Sequence, residues 1–408
     1  MSDQAKLQLL TRSHDDSGFE IFEVDSSQAY SGFKPQRSPA TEWELRRQPL
    51  AVDGTRNFVL NNLRQDRYLL LNSKEHFLWE QFDGRNSLEE IARAFHLEHG
   101  AFDYSIIREL LAKLYHAGLI EGHRTLAPLS NFVTPKERSP AHRLGRMLDA
   151  WRHFALRTRD ADRYCSTTYR RGGFVLFHPL TFWTVVGLAG VALAAAFQLA
   201  GHSMDFARLL SARPYMSTGV MLITLLAASM LHVLVHALAC KAHGRRVREI
   251  GFFLLQGVLP TFYTDVTDIF MSNRRARLMV DLAGPMVEVL FGSLAMLSAY
   301  LSGPGIEQAL LFGVGVLLWE SALINLYPFS FLELDGYNIL ADLLAMPMLR
   351  KQALALIPNL TQRLRNIRTI QRAEMIQIAY LALCLISVIA YVVLHLDAIS
   401  ALLPFEWR

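Results

Sequence analysis

His232 and His236 stand four residues apart in LHVLVHALACKAHG (231–244), at one end of a long apolar run. On a helix this spacing puts both imidazoles on one face, one turn above the other, where they can share a metal ion. The pair has the spacing of the H-E-x-x-H signature, in which the Glu polarises zinc-bound water and shuttles its proton. Here that position is Val233. The metal pair is legible in the sequence, and the usual base is missing.

A third ligand is expected from far along the chain. In INLYPFSFLELDGYNIL, Asn325 and Pro328 break an apolar helix, and Asp335-Gly336 follow at the same membrane side as the histidines. A carboxylate arriving there completes three ligands with one position left for water or substrate, the arrangement of a catalytic zinc. Cys240 and His243 compete for the third place, but a set drawn from one segment leaves the far side of the ion unfilled. Glu333, Glu320 and Asp268 are the carboxylates that replace the missing base if one lies within roughly 2.6–3.2 Å of the bound water. Glu333, two residues from Asp335, is the first of these.

These residues need a membrane scaffold to meet. The chain has 408 residues, 51% of them hydrophobic. Apolar runs near 174–200, 216–240, 278–301, 307–328 and 375–396 are each long enough for a hydrocarbon core of about 30 Å. Five spans are expected, and residues 1–170 contain neither a sixth nor a cleavable signal peptide. Arg170, Arg171, Lys241, Arg245, Arg246, Arg248, Arg274, Arg275, Arg277, Arg350 and Lys351 all fall on one side if the spans alternate, which makes that side the cytoplasm. The net charge of +4 is then a topology signal and not a nucleic-acid-binding patch. Cys165, Cys240 and Cys384 show no paired spacing, so no disulfide framework is implied. Glu288, inside the third run and just after Gly284-Pro285, demands a polar partner. IGFFLLQGVLPTFYTDVTDIF (250–270) is broken by Gly257 and Pro260 and reads as a hairpin or re-entrant segment near the metal.

Ahead of the spans the chain reads as soluble. Residues 1–45 are polar and irregular, a flexible lead-in. Residues 46–125 read as a small α+β, winged-helix-like domain, with strands at 58–62 and 67–72 and a helix at 74–82. A second helix begins behind the Ser87/Glu90 capping box, a third covers 103–117, and a short strand closes at 119–122. Residues 126–171 read as a basic linker whose segment 143–157 forms an amphipathic helix at the cytoplasmic leaflet.

RYLLLNSKEHFLWEQFDGRNSLEEIARAF followed by IIRELLAKLYHAGLIEG resembles the PqqD-like domain, the peptide-recognition module of enzymes that modify ribosomally made peptides. The resemblance covers roughly 50–122 and implies that an extended leader peptide adds a strand to the sheet. LHVLVHALACKAHGRRVREIGF, PTFYTDVTDIFMSNRRARLMVDLAGPMVEVL and INLYPFSFLELDGYNILADLLAMPMLR resemble the site-2 protease family of intramembrane zinc metallopeptidases, in its peptide zinc metalloprotease branch. That resemblance covers roughly 172–372 and implies a polytopic α-helical core over 172–408. It also implies Zn2+ on His232, His236 and Asp335, with Asn325 and Gly336 placing substrate and the IGFF segment aligning the peptide. Three departures stand out: Val233 for the catalytic Glu, Val235 for a small Gly, and two extra residues between Pro328 and Asp335. The implied setting is the inner or plasma membrane of a bacterium, with a cytoplasmic N-terminal domain and an exporter or modifying enzyme as partner. Two functions follow: a membrane peptidase acting on a peptide or protein, or an inactive pseudoprotease that holds and escorts a peptide.

Overall fold

The computed structural model describes residues 6–12, 19–25, 33–52, 54–100, 104–121, 155–158, 160–255, 259–359 and 371–394. The chain divides into two compact units, residues 1–50 with 54–137 and residues 51–53 with 138–408.

In the first unit, β1 (Lys6–Arg12) pairs antiparallel with β2 (Phe19–Asp25). The residues expected to be an irregular lead-in thus include a hairpin, and KLQLLTR and FEIFEVD carry apolar residues in near alternation that suits paired strands. β3 (Gln36–Arg37) is followed by β4 (Trp43–Leu50), β5 (Arg56–Asn62) and β6 (Arg67–Leu71), and the last three form an antiparallel sheet in that order. Helices α1 (Ser73–Gln81), α2 (Leu88–His99) and α3 (Tyr104–His116) pack on it, and β7 (Ile120–Glu121) returns to pair with β3. The expected cap is present: Ser87 Oγ accepts from the Glu90 amide at 3.3 Å while Glu90 accepts from the Ser87 amide at 2.7 Å. A second capping box, Asn72 with Glu75, starts α1. Leu60, Leu71, Leu78, Trp79, Phe82, Phe95 and Leu114 are fully enclosed and join strands and helices into one apolar core.

The second unit begins, among the described residues, with β8 (Ala155–Thr158) and α4 (Ala161–Arg170). Most of the expected amphipathic helix at 143–157 lies outside the described residues, but residues 155–157 are strand, paired to β9 below. Among the described residues, five helices are long and apolar enough to cross a membrane. They are α5 (Pro179–Ala200), α7 (Pro214–Ala242), α8 (Arg274–Leu301), α9 (Ile306–Leu326) and α12 (Arg372–Leu394). A short helix, α6 (Ser203–Ser211), connects α5 to α7. His178 caps α5, its ring nitrogen accepting from the Leu180 amide at 3.2 Å, with Pro179 at the first helical position where a missing N–H costs nothing. α5, α7 and α12 leave Trp183, Phe197, Leu222, Ile223, Leu385 and Ile386 uncovered, an apolar surface that suits lipid and not water. α8 is the most enclosed span and packs against α5, α7 and α9, so residues on its faces are placed by protein on several sides.

Between α7 and α8 the chain forms β9 (Glu249–Leu255) and β10 (Leu259–Asp265), the expected hairpin, with β8 added to its other edge. After α9, an irregular loop leads to α10 (Asp335–Leu344) and α11 (Leu349–Leu356). Phe331 in that loop adopts φ 53°, a left-handed conformation unfavourable for a large side chain. Arg350 holds the loop there: its guanidinium donates to the Phe331 carbonyl at 2.9 Å and pairs with Glu333 at 2.7 Å, while its amide donates to Tyr337 Oη at 3.0 Å.

Candidate metal centre

α7 is a single helix through both histidines, so the i, i+4 spacing acts as expected: their Nε2 atoms lie 2.9 Å apart. Asp335, the first residue of α10, arrives opposite them. Its Oδ2 lies 3.0 Å from His232 Nε2 and its Oδ1 3.4 Å from His236 Nε2. One donor atom from each residue falls within 4.8 Å of the other two.

The outer partners decide what these atoms can be. His232 Nδ1 lies 3.0 Å from Glu288 Oε1, and His236 Nδ1 lies 2.7 Å from the Val280 carbonyl. A carboxylate and a carbonyl only accept, so each Nδ1 carries a proton, and in its neutral form each ring then turns an Nε2 lone pair inward. Two lone pairs and a carboxylate then converge with no proton among them, and Asp335 Oδ2 is left buried without a hydrogen bond. A cation satisfies all three at once. Donor atoms around a tetrahedral ion with bonds of about 2.0–2.1 Å are roughly 3.3 Å apart, and the three separations bracket that value. Burial raises the Asp335 carboxyl, but when the imidazoles are protonated His232 and His236 outweigh it and hold it at about 2.

Two glycines allow the elements this close. A Cβ on Gly284 would lie 2.4 Å from His236 Nε2 and 2.5 Å from His232 Nε2. A Cβ on Gly336 would lie 2.1 Å from the Leu326 carbonyl oxygen, so only glycine lets α10 start against the end of α9. Pro285 inside α8 cannot donate to the carbonyl of Asp281, and this loosened turn is where the neighbouring Val280 carbonyl meets His236.

Glu288 finds the polar partners its position demanded. Besides His232, it accepts from Ser321 Oγ at 3.1 Å and from the Asn325 amide at 3.3 and 3.4 Å. The structure thus places Asn325 behind His232, oriented on Glu288. Glu333 does not join the cluster; its carboxylate is more than half exposed and paired with Arg350. Asp268 is taken up by Arg245 at 2.8 Å and the Arg246 amide at 2.8 Å, and Glu320 faces outward on α9. Cys240 is buried, with its thiol toward the Arg246 carbonyl, and neither it nor His243 is in the cluster.

Asp281 is the carboxylate that sequence reasoning passed over. It lies half-buried on α8. Its signal was spacing: 277, 281, 284 and 288 share one face of α8.

The chain is similar to YydH of Bacillus subtilis (strain 168), a candidate peptide zinc metalloprotease. The two are 30% identical over 118 residues, which is 28% of this chain and 44% of YydH. The matched stretch is thus under half the length of that relative. No family model matches the chain, and no solved structure matches it.

Proposed function

We propose that this chain is a zinc-dependent peptidase of the site-2 protease type, set in the inner membrane of a bacterium and acting on a peptide or protein. The observation that carries the reading is the convergence of two imidazole Nε2 atoms, whose Nδ1 protons face outer acceptors, with the Asp335 carboxylate. The donor set, two imidazoles and one carboxylate with an open position, suits zinc in its catalytic form; when bound, zinc polarises a substrate carbonyl and acidifies a water. The likeness to YydH supports the same class. An apolar cavity of about 310 Å3 lies alongside, lined by Phe182, Val185, Val235, Ala283 and Met286. Val235 and Ala283 directly precede His236 and Gly284, so the cavity suits an apolar side chain of a peptide held at the metal. In this reading Val235 serves as pocket wall, and Gly336 and Asn325 act by setting the positions of Asp335 and Glu288.

The N-terminal unit, on the cytoplasmic side, receives the substrate's leader in the manner of a PqqD-like domain. Among the described residues its three-stranded sheet ends at β4 and β6, and a leader strand adds to an outer strand of such a sheet. A modifying enzyme or an exporter then hands over or removes the product.

Val233 supports a second reading, a pseudoprotease that keeps the pocket to hold and escort a peptide. The discriminating experiment is hydrolysis of labelled casein by the detergent-purified protein with and without zinc. Cleavage by the wild type establishes the peptidase. Cleavage only after Val233→Glu establishes the pseudoprotease, and no cleavage by either with zinc bound removes the peptidase reading.

A further inference from the structure

Asp335 is the one member of the cluster that its own element does not place. The two histidines are set by the period of α7, whereas α10 begins at Asp335 behind Leu334, a residue with no side-chain group to cap it. Helix ends fray unless something outside the helix holds them. The chain arrives there through the irregular residues 327–334, in which Phe331 takes φ 53°, a conformation that a large residue keeps only where its surroundings impose it.

One residue imposes it. Arg350, in the first turn of α11, reaches the loop with two different guanidinium nitrogens: Nη1 donates to the Phe331 carbonyl at 2.9 Å and Nη2 pairs with Glu333 Oε1 at 2.7 Å. Its backbone amide, one of those a helix leaves unpaired at its start, donates to Tyr337 Oη at 3.0 Å. The three anchor points, 331, 333 and 337, bracket Asp335 on both sides. Glu333 stands within about 7 Å of Asp335 along the backbone, so a displacement at the anchor passes to the ligand, and metal sites tolerate only about 0.2 Å. The far end of α10 is held separately, where both carboxylate oxygens of Asp342 accept from Arg277 Nε at 3.0 and 2.8 Å. A helix fixed at its far end can still pivot, and Arg350 removes that freedom at the end that carries the ligand.

We infer that Arg350 is the positioning residue of the metal centre's carboxylate: it fixes where Asp335 meets the two imidazoles, and Glu333 is its anchor. This rests on the reading of His232, His236 and Asp335 as a metal site, and it holds for peptidase and pseudoprotease alike. The planar fork matters, because a carbonyl and a carboxylate two residues apart must be held at once; a lysine ammonium is a point charge on a flexible stem and lacks that fixed geometry.

The test is a double-mutant cycle on full-length protein in detergent, titrated with cobalt(II) and followed by the cobalt absorption bands, which report the geometry of the bound ligands. Arg350→Met should weaken cobalt binding about 10–100-fold, the usual worth of a partner behind a metal ligand, and should alter the bands. Arg350→Lys should fall between this variant and the wild type. Glu333→Gln should cost less than Arg350→Met, since a half-exposed ion pair contributes little and the Phe331 contact survives. In Asp335→Ala, which keeps both histidines, adding Arg350→Met should change the residual affinity by no more than about twofold, the scatter of independent measurements. A larger loss in that background overturns the inference, because Arg350 would then support the fold or the histidines and not Asp335. Wild-type affinity and bands in Arg350→Met overturn it as well. If Arg350→Met does not fold, the same cycle with Arg350→Lys decides by the same two outcomes. A wild type that takes up no cobalt, or whose cobalt affinity ignores Asp335→Ala, sinks the metal reading and the inference together.

Discussion

Gly284→Ala is a one-methyl perturbation whose effect follows from the geometry of the cluster. The added carbon would sit 2.4 Å from His236 Nε2 and 2.5 Å from His232 Nε2, where contacts below 3.0 Å are essentially never found. Backbone on an enclosed, proline-containing helix gives little, so both rings must retreat by about half an ångström or more. Metal sites tolerate deviations of only about 0.2 Å in ligand distance, so the displacement exceeds the tolerance at two ligands at once. Loss of an outer partner alone typically costs about 10–100-fold in metal affinity, and displacing two inner ligands should cost at least the upper figure. Zinc competition against a chromophoric chelator, in detergent, measures it, with circular dichroism confirming that helix content is kept. Wild-type zinc affinity in Gly284→Ala would refute the reasoning, because the imidazoles could not then be where the metal is.

Glu288→Gln should weaken zinc binding about 10–100-fold, since the amide can still face His232 but no longer fixes its tautomer with a charge; an unchanged affinity counts against the outer-partner role. Acid should release the metal with a proton dependence approaching two per ion, since each imidazole Nε2 lone pair takes either the metal or a proton. Asp335, held at about 2 once the imidazoles are protonated, stays charged after the metal is released, and its contribution is lost only as the pH falls through that value. A third proton taken up above pH ~4 would contradict the depressed carboxyl. Arg277→Met should destabilise the fold by about 3–5 kcal/mol by stranding Asp342 in a buried position. Adding Asp342→Leu should recover most of the loss in a thermal or SDS-unfolding assay, and a single variant as stable as wild type would show that the pair does not hold α10 to α8.

What could be read from the sequence was what local rules dictate. The spans followed from apolar length, the second helix of the first unit from Ser87 and Glu90, and the histidine pair from the period of a helix. Glu288 announced a partner because an acid inside a span demands one, although the sequence did not say that the partner would be His232. Asp335 was found because a broken helix returns the chain to the side it left. The rest depended on contacts between distant segments. Glu333 was judged by its distance along the chain from Asp335, whereas Arg350 in α11 claims it. β4 escaped notice because WELRRQPL carries charges and a proline, which an edge strand tolerates. β8 becomes a strand only by joining β9.

The central claim is that His232, His236 and Asp335 bind one divalent ion inside the membrane unit. X-ray absorption on the zinc-loaded, detergent-purified protein tests it most directly. The account predicts one zinc per chain with two imidazole nitrogens and carboxylate or water oxygens at about 2.0–2.2 Å, and loss of that shell in Asp335→Ala. A preparation that holds no zinc, or one whose zinc environment is unchanged by Asp335→Ala, would contradict it.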